Sequence, residues 1–164
     1  MTAGDHPEED ASELLSSTDR ELYQMLIGMA QWIVNLGRLD IIFALSSLNR
    51  FSSCPREGHL DRVFKIFGYL KKYPNRAICC NAFKQDFDSY EEVITNWTQD
   101  YRDAKEEIPN NAPEALGSSI KITCYVDSDH AHDAVTRRSV TGFIIVLNSM
   151  PFIWYSKRQG SVES

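Results

Sequence analysis

Ile120-Lys121-Ile122-Thr123-Cys124-Tyr125-Val126-Asp127-Ser128-Asp129 alternates apolar and polar side chains and runs out into carboxylates. A period of two is that of a half-buried β-strand. Ser139 to Leu147 follows, rich in β-branched and aromatic residues, then Asn148-Ser149, then a further extended run from Met150 to Ser156. Two such runs across a two-residue turn predict a hairpin. Residues 120–164 therefore read as a three-stranded antiparallel meander. Three strands with one apolar face are marginal alone in water, so this sheet must pack on the residues before it or expose an edge and a face.

Upstream the period changes to that of a helix. Thr18-Asp19-Arg20-Glu21 has the form of a capping box, and Leu22, Met25, Leu26, Met29, Trp32, Ile33 and Leu36 recur at spacings of three and four until Gly37. Asp40 is placed to cap a second helix, Ile41 to about Arg50. Pro55 and Gly58 precede a third, with Leu60, Val63, Phe64, Phe67 and Leu70 on one stripe and Tyr73-Pro74 as its stop. The fold class expected is α+β, with an N-terminal helical bundle segment followed by the meander. The expected division is an acidic disordered tail at 1–18, a helical segment at 19–76, an acidic connector at 77–119 and the strand segment at 120–164.

The 164 residues are enough for a real core without staples, and the net charge of −6 is unevenly spread. Residues 1–21 carry seven acidic groups and one basic, residues 22–80 three acidic and eight basic. The first stretch has few large apolar residues with which to offset its ordering entropy. No apolar run approaches the ~20 residues that span a bilayer. The acidic start has neither the basic nor the apolar region of a signal peptide, so a cytoplasmic or nuclear location is expected, not secretion, and no membrane partner. Four cysteines and four histidines include no Cys-x-x-Cys pair, which disfavours zinc. Cys79 and Cys80, beside Ala77 and Ile78, read as small buried hydrophobes in a reducing compartment.

On a strand continuing through Val126, Asp127 and Asp129 project to one face and could share a hard cation through oxygen ligands, though a solvated turn fits the same residues. His130 and His132 are expected to face solvent, and Trp154 to pack in the core. Arg56, Arg62, Lys65, Lys71, Lys72 and Arg76 form a basic set around the third helix, able to track a phosphate backbone or simply to solvate a helix face. Arg137 and Arg138 could meet a phosphate or cap the strand that follows.

Three ordered motifs, Tyr125-Val126-Asp127-Ser128-Asp129-His130-Ala131, Thr136-Arg137-Arg138-Ser139-Val140-Thr141-Gly142 and Trp154-Tyr155-Ser156-Lys157-Arg158-Gln159, resemble the copia-type retrotransposon polyprotein where its ribonuclease H domain opens. Tyr23 to Met29, Gly37 to Ile41 and Leu70-Lys71-Lys72 resemble the helical segment joining that family's reverse transcriptase to its nuclease. The resemblance covers about Glu21 to Glu163. It implies a ribonuclease H-like topology, cut short, and a site at which four carboxylates hold two magnesium ions and cleave the RNA strand of an RNA:DNA hybrid. It maps the first carboxylate onto Asp127, with Asp129 as a neighbour and fallback ligand.

Nucleic-acid contacts are expected for Arg62, Lys65, Lys71 and Lys72 from the basic set around the third helix, and for Arg137 and Arg138, which match a basic pair of the family. Its partners are an RNA:DNA hybrid or single-stranded RNA or DNA, and the remaining polyprotein domains. The family's catalytic glutamate lies on a helix that should follow Gln159, and Glu163 falls before that position. No Tyr-x-Asp-Asp polymerase signature occurs. The expectation is a catalytically incomplete polyprotein fragment, with little or no turnover and weak or no magnesium binding by this chain alone. The alternatives are a module that binds nucleic acid or protein, or a nonfunctional retroelement relic.

Overall fold

Ser16, and not Thr18, starts the first helix. In the computed structural model, which describes residues 6–76, 78, 109–114, 116–117 and 120–161, helix α1 spans Ser17–Asn35. The Ser16 Oγ accepts from the Asp19 amide (3.1 Å) and donates to the Asp19 carboxylate (2.7 Å), so the N-cap sits two residues earlier than the sequence suggested. The helix ends as expected at Gly37, whose φ of +107° suits a residue without a side chain. The Gly37 amide donates to the Val34 carbonyl and the Arg38 amide to Ile33, the paired bonds of a Schellman cap.

A 3-10 turn, Leu39–Ile41, leads into α2, Ile42–Asn49, and α3 spans Glu57–Lys72. Asp40 caps nothing. Its two oxygens take the Arg38 guanidinium at 3.0 Å each, and the Tyr69 hydroxyl donates to it at 2.9 Å.

The helices bury Tyr23, Ile27, Ala30, Val34, Ile41, Leu45, Leu48, Val63 and Ile66 in one cluster. On α1 the helical period was right and its phase was not. Tyr23, Ile27, Ala30 and Val34 face inward, Leu26 and Ile33 flank them, and Met25, Met29, Trp32 and Leu36 are exposed. The small Ala30 lets the helices approach closely, and the Tyr23 hydroxyl reaches the Leu48 carbonyl on α2 at 2.7 Å. Both features favour the observed face over the one with more methylenes.

The strands are β1 Ile122–Ser128, β2 Val140–Leu147 and β3 Met150–Arg158, antiparallel in the order β1-β2-β3. Asn148 takes φ +54° in the two-residue turn, a conformation asparagine tolerates, and its side chain accepts from the Lys121 amide at 3.0 Å. The chain is thus α+β. Register places Tyr125, Ile144 and Trp154 in one cross-strand row and Asp127, Gly142 and Ser156 in the next. This face meets the helices: Trp154 packs on their core, and the Ser46 and Ser156 hydroxyls lie 3.4 Å apart. On the opposite face Ile122, Val126, Ile153 and Tyr155 remain exposed.

The expected disordered tail is corrected from His6 onward. Asp10 accepts from the Ser12 amide and hydroxyl and from Arg62 (2.5 Å), and the Ser12 hydroxyl accepts from the Gly58 amide. A Cβ at Gly58 would fall 1.9 Å from the Asp10 carboxylate, so only glycine admits this approach. Leu14 bridges Arg56 in a short antiparallel contact. Burial opposes ionisation of Asp10, but the bonds from Ser12 and Arg62 outweigh it and bring its carboxyl down to about 2. Fixed long-range partners compensate for the ordering entropy that composition alone made prohibitive. The connector at 77–119 lies largely outside the described residues, as do Cys79, Cys80 and Glu163.

His59, on the first turn of α3, is buried and stacks on Phe51 at 4.1 Å. Its Nε2–H donates to the Pro7 carbonyl (2.8 Å) and its Nδ1 accepts from the Arg56 amide (3.1 Å), an arrangement that requires the neutral ring. Burial lowers its pKa from the ordinary 6.5. The unfolded chain therefore takes up a proton at a pH where the folded chain does not, and stability falls as pH drops through 6.5. We expect the urea midpoint at pH 5.5 to lie below that at pH 7.5, with His59→Gln reducing the difference. A midpoint independent of pH across this window would contradict the assignment.

Candidate functional site at the end of the first strand

The site residues predicted on β1 stand at the mouth of a groove of about 380 Å³ between the sheet and α2. Leu39, Ile42 and Phe43 form one wall, and Tyr125, Asp127, Gly142, Ile144 and Trp154 line the other, with Asp129 at the end. Alternation on β1 turns Asp127 toward this groove, and Gly142 opposite it carries no side chain to fill the space. Asp127 is exposed.

Asp129 does something else. The strand ends at Ser128, and Asp129 closes the loop back to β2: its amide donates to the Val140 carbonyl (3.2 Å), and its Oδ1 accepts from the Val140 amide (2.6 Å). Its other oxygen lies 3.6 Å from His132 Nδ1. One oxygen of Asp129 is thus taken up by the backbone, while Asp127 faces the groove. His132 is not the solvent-facing residue expected. It is half-buried, with its ring centroid 5.5 Å from that of His6 and 5.4 Å from that of Phe43.

The residue that sequence reading passed over is Asp133, 1% exposed and the anchor of the loop between β1 and β2. Its Oδ1 accepts from the Val135 and Thr136 amides, the Asx turn that Asp-x-x-Thr spacing could have signalled. Its Oδ2 takes both Arg50, from the end of α2, and Arg158, from the end of β3 (2.8 Å). Arg50 reaches on to Glu8 (2.7 Å), which also accepts from the Ala134 amide (2.8 Å). Burial disfavours charge on Asp133, yet the Thr136, Arg158 and Arg50 contacts prevail and hold it far below the usual carboxylate range. Glu8 is lowered likewise, its burial opposed by Ala134, His6 and Arg50. Three segments distant in sequence meet at this one carboxylate, and Arg50 links it to a fourth at Glu8.

The basic residues fall on different elements. Arg62 is engaged by Asp10, Lys65 is exposed along α3, and Lys71 and Lys72 occupy its last turn. Arg137 (φ +54°) and Arg138 shape the loop through backbone bonds with Asp133. Among the described residues no three His, Cys, Asp or Glu side chains converge as a metal site would require. Asp127 alone does not fit the needs of magnesium, which keeps most of its waters unless several oxygens converge. No helix among the described residues is long and apolar enough to cross a membrane.

Comparison with known proteins supplies what geometry does not. A transposon Ty5-1 protein of Saccharomyces cerevisiae is 26% identical over 136 residues, 83% of this chain and 33% of that protein. The retrovirus-related Pol polyprotein from transposon RE1 of Arabidopsis thaliana is 26% identical over 145 residues, 88% of this chain and 8% of the polyprotein. The corresponding polyprotein from transposon RE2 is 21% identical over 140 residues, 85% of this chain and 7% of its own length. No protein-family profile matches the chain, and no solved structure does. The chain spans a third or less of these relatives, and along most of its length it is similar to a segment of Ty5 and copia-type retrotransposon Pol polyproteins.

Proposed function

We propose that this chain corresponds to the junction in a retroelement polyprotein where the helical connection of a reverse transcriptase meets the opening strands of a ribonuclease H domain. The observation that carries the reading is the order of parts among the described residues: three α-helices, then an antiparallel meander whose first strand ends in an exposed carboxylate at a groove. That order fits a chain similar to Pol polyproteins along more than four fifths of its length. In this reading Asp127 is the first carboxylate of the nuclease, Asp129 fixes the loop beside it, and Arg137 and Arg138 flank the path of an RNA:DNA hybrid. One carboxylate cannot assemble the two-ion site of such a nuclease, so the chain alone hydrolyses hybrid little or not at all. Its role is then to present Asp127 to the groups that complete the site.

The test is hybrid cleavage in magnesium by this chain, by its Asp127→Asn variant, and by a version joined to the ribonuclease H remainder of a Pol polyprotein. Cleavage gained on extension and abolished by Asp127→Asn is the expected result. An extended chain that stays inactive, or whose activity ignores Asp127→Asn, overturns the assignment.

A further inference from the structure

The C-terminal end of α3 gathers aromatic rings and cations in a way the nuclease reading does not use. Lys65, Tyr69, Lys72 and Tyr73 follow one another at helical spacing, and the Pro74-Asn75 turn brings Arg76 back over the same face. Tyr69 and Tyr73 have centroids 5.1 Å apart and planes tilted by 54°. The Arg76 guanidinium lies 4.7 Å from the Tyr73 centroid and 5.7 Å from that of Tyr69, and donates to the Tyr69 hydroxyl at 2.9 Å. Arg38 stands 5.9 Å from the Tyr69 centroid and the Lys72 ammonium 5.4 Å from that of Tyr73. Against these three cations the contacting carboxylate is Asp40. Lys72 and Arg76 are exposed and both tyrosines are only half-buried.

Cations at a helix C-terminus offset its dipole, and one or two would suffice for that. With Arg38 balanced by Asp40, Lys72 and Arg76, and Lys65 on the same helix, carry the positive potential beside the two tyrosines in a chain of net charge −6. A base would stack on a ring in place of the Arg76 guanidinium that now lies over it, and the displaced guanidinium, with the Lys72 ammonium, would meet the flanking phosphates. A base inside a duplex already has both faces covered, which favours an unpaired strand. From Lys65 to Tyr73 the stripe spans about 12 Å at 1.5 Å per residue, room for about two nucleotides.

We propose that Tyr69 and Tyr73, with Arg38, Lys65, Lys72 and Arg76, form a stacking site for single-stranded nucleic acid, separate from Asp127. The site shares with the reading above only its class of ligand, and Asp127→Asn should leave it intact. The experiment is fluorescence anisotropy of labelled oligothymidylate and oligouridylate of about twelve nucleotides, over a range of sodium chloride, with duplex DNA and heparin as competitors. Single strands should bind, and duplex should compete weakly. Tyr73→Leu should weaken binding about tenfold with the salt dependence kept. Arg76→Gln should lower the salt slope by about 0.7, the share of one phosphate contact on a single strand. Oligouridylate outcompeting oligothymidylate would assign the site to RNA, and the reverse to DNA.

Thermal melts of both variants, matching the parent, separate a binding defect from misfolding, because neither side chain lies in the buried cluster. Heparin competing as well as single strands, with Tyr73→Leu without effect, would reduce the surface to a plain cation patch and overturn the proposal. So would an absence of single-strand binding, or binding lost on Arg137→Gln with Arg138→Gln but not on Arg76→Gln.

Discussion

Asp133→Ala should destabilise the fold by about 3 kcal/mol, the range for removing one partner of a buried ion pair. The wild-type carboxylate is 1% exposed and neutralises both Arg50 and Arg158, and its second oxygen holds the Asx turn. Alanine leaves the Arg50 guanidinium facing Arg158 with only Glu8 to balance them. The check is a double-mutant cycle in urea. Arg50→Met should cost much less in the Asp133→Ala background than in the parent, because Arg50 has there already lost its Asp133 partner. Equal costs in both backgrounds would show that the three side chains are not coupled. The pH arithmetic has the same sign: a carboxyl held below its ordinary value contributes stability above pH 4 that is lost as pH falls toward its folded value.

Tyr23→Ala is expected to cost about 3 to 5 kcal/mol, as for other large aromatics removed from a core. Tyr23 is 0% exposed and its ring sits where α1 crosses α2. Tyr23→Phe should cost only about 1 kcal/mol, because the Leu48 carbonyl that loses the hydroxyl still accepts from the Phe51 amide at 3.0 Å. The two variants together separate packing from hydrogen bonding. Chemical denaturation measures both, and a phenylalanine variant as damaged as the alanine one would place most of the residue's contribution in its hydroxyl.

Local rules read well here and long-range pairing did not. The strand at 120–126, the Asn148-Ser149 turn and the glycine stop at 37 are written in neighbouring residues, and each stands in the structure within two residues of its expected place. The Ile122, Cys124 and Val126 face of β1, read as the buried one, is nevertheless exposed. The face of α1 was misjudged because hydrophobic spacing fixes a period but cannot weigh Ala30 and the Tyr23 hydroxyl against Met29 and Trp32, whose environments depend on other helices. Residues 6–16 were misjudged for a related reason. Their acidic composition implies disorder only while the partners are unknown, and Arg50, Arg56 and Arg62 lie some forty or more residues away. Asp127 was legible as the strand-end carboxylate, whereas Asp133, equally visible as a letter, gained meaning only when Arg50 and Arg158 arrived beside it.

The amino-terminal segment bears on how this chain can be divided. Glu8 touches Arg50 of the helical half and the Ala134 amide of the strand half, and Asp10 and Ser12 fasten the same segment to α3. It works as a strap across the seam between the two halves. A fragment begun at residue 19, where composition places the boundary, discards the strap and releases the loop that follows Asp127, so the natural unit for any dissection starts before Pro7 rather than at the first long helix.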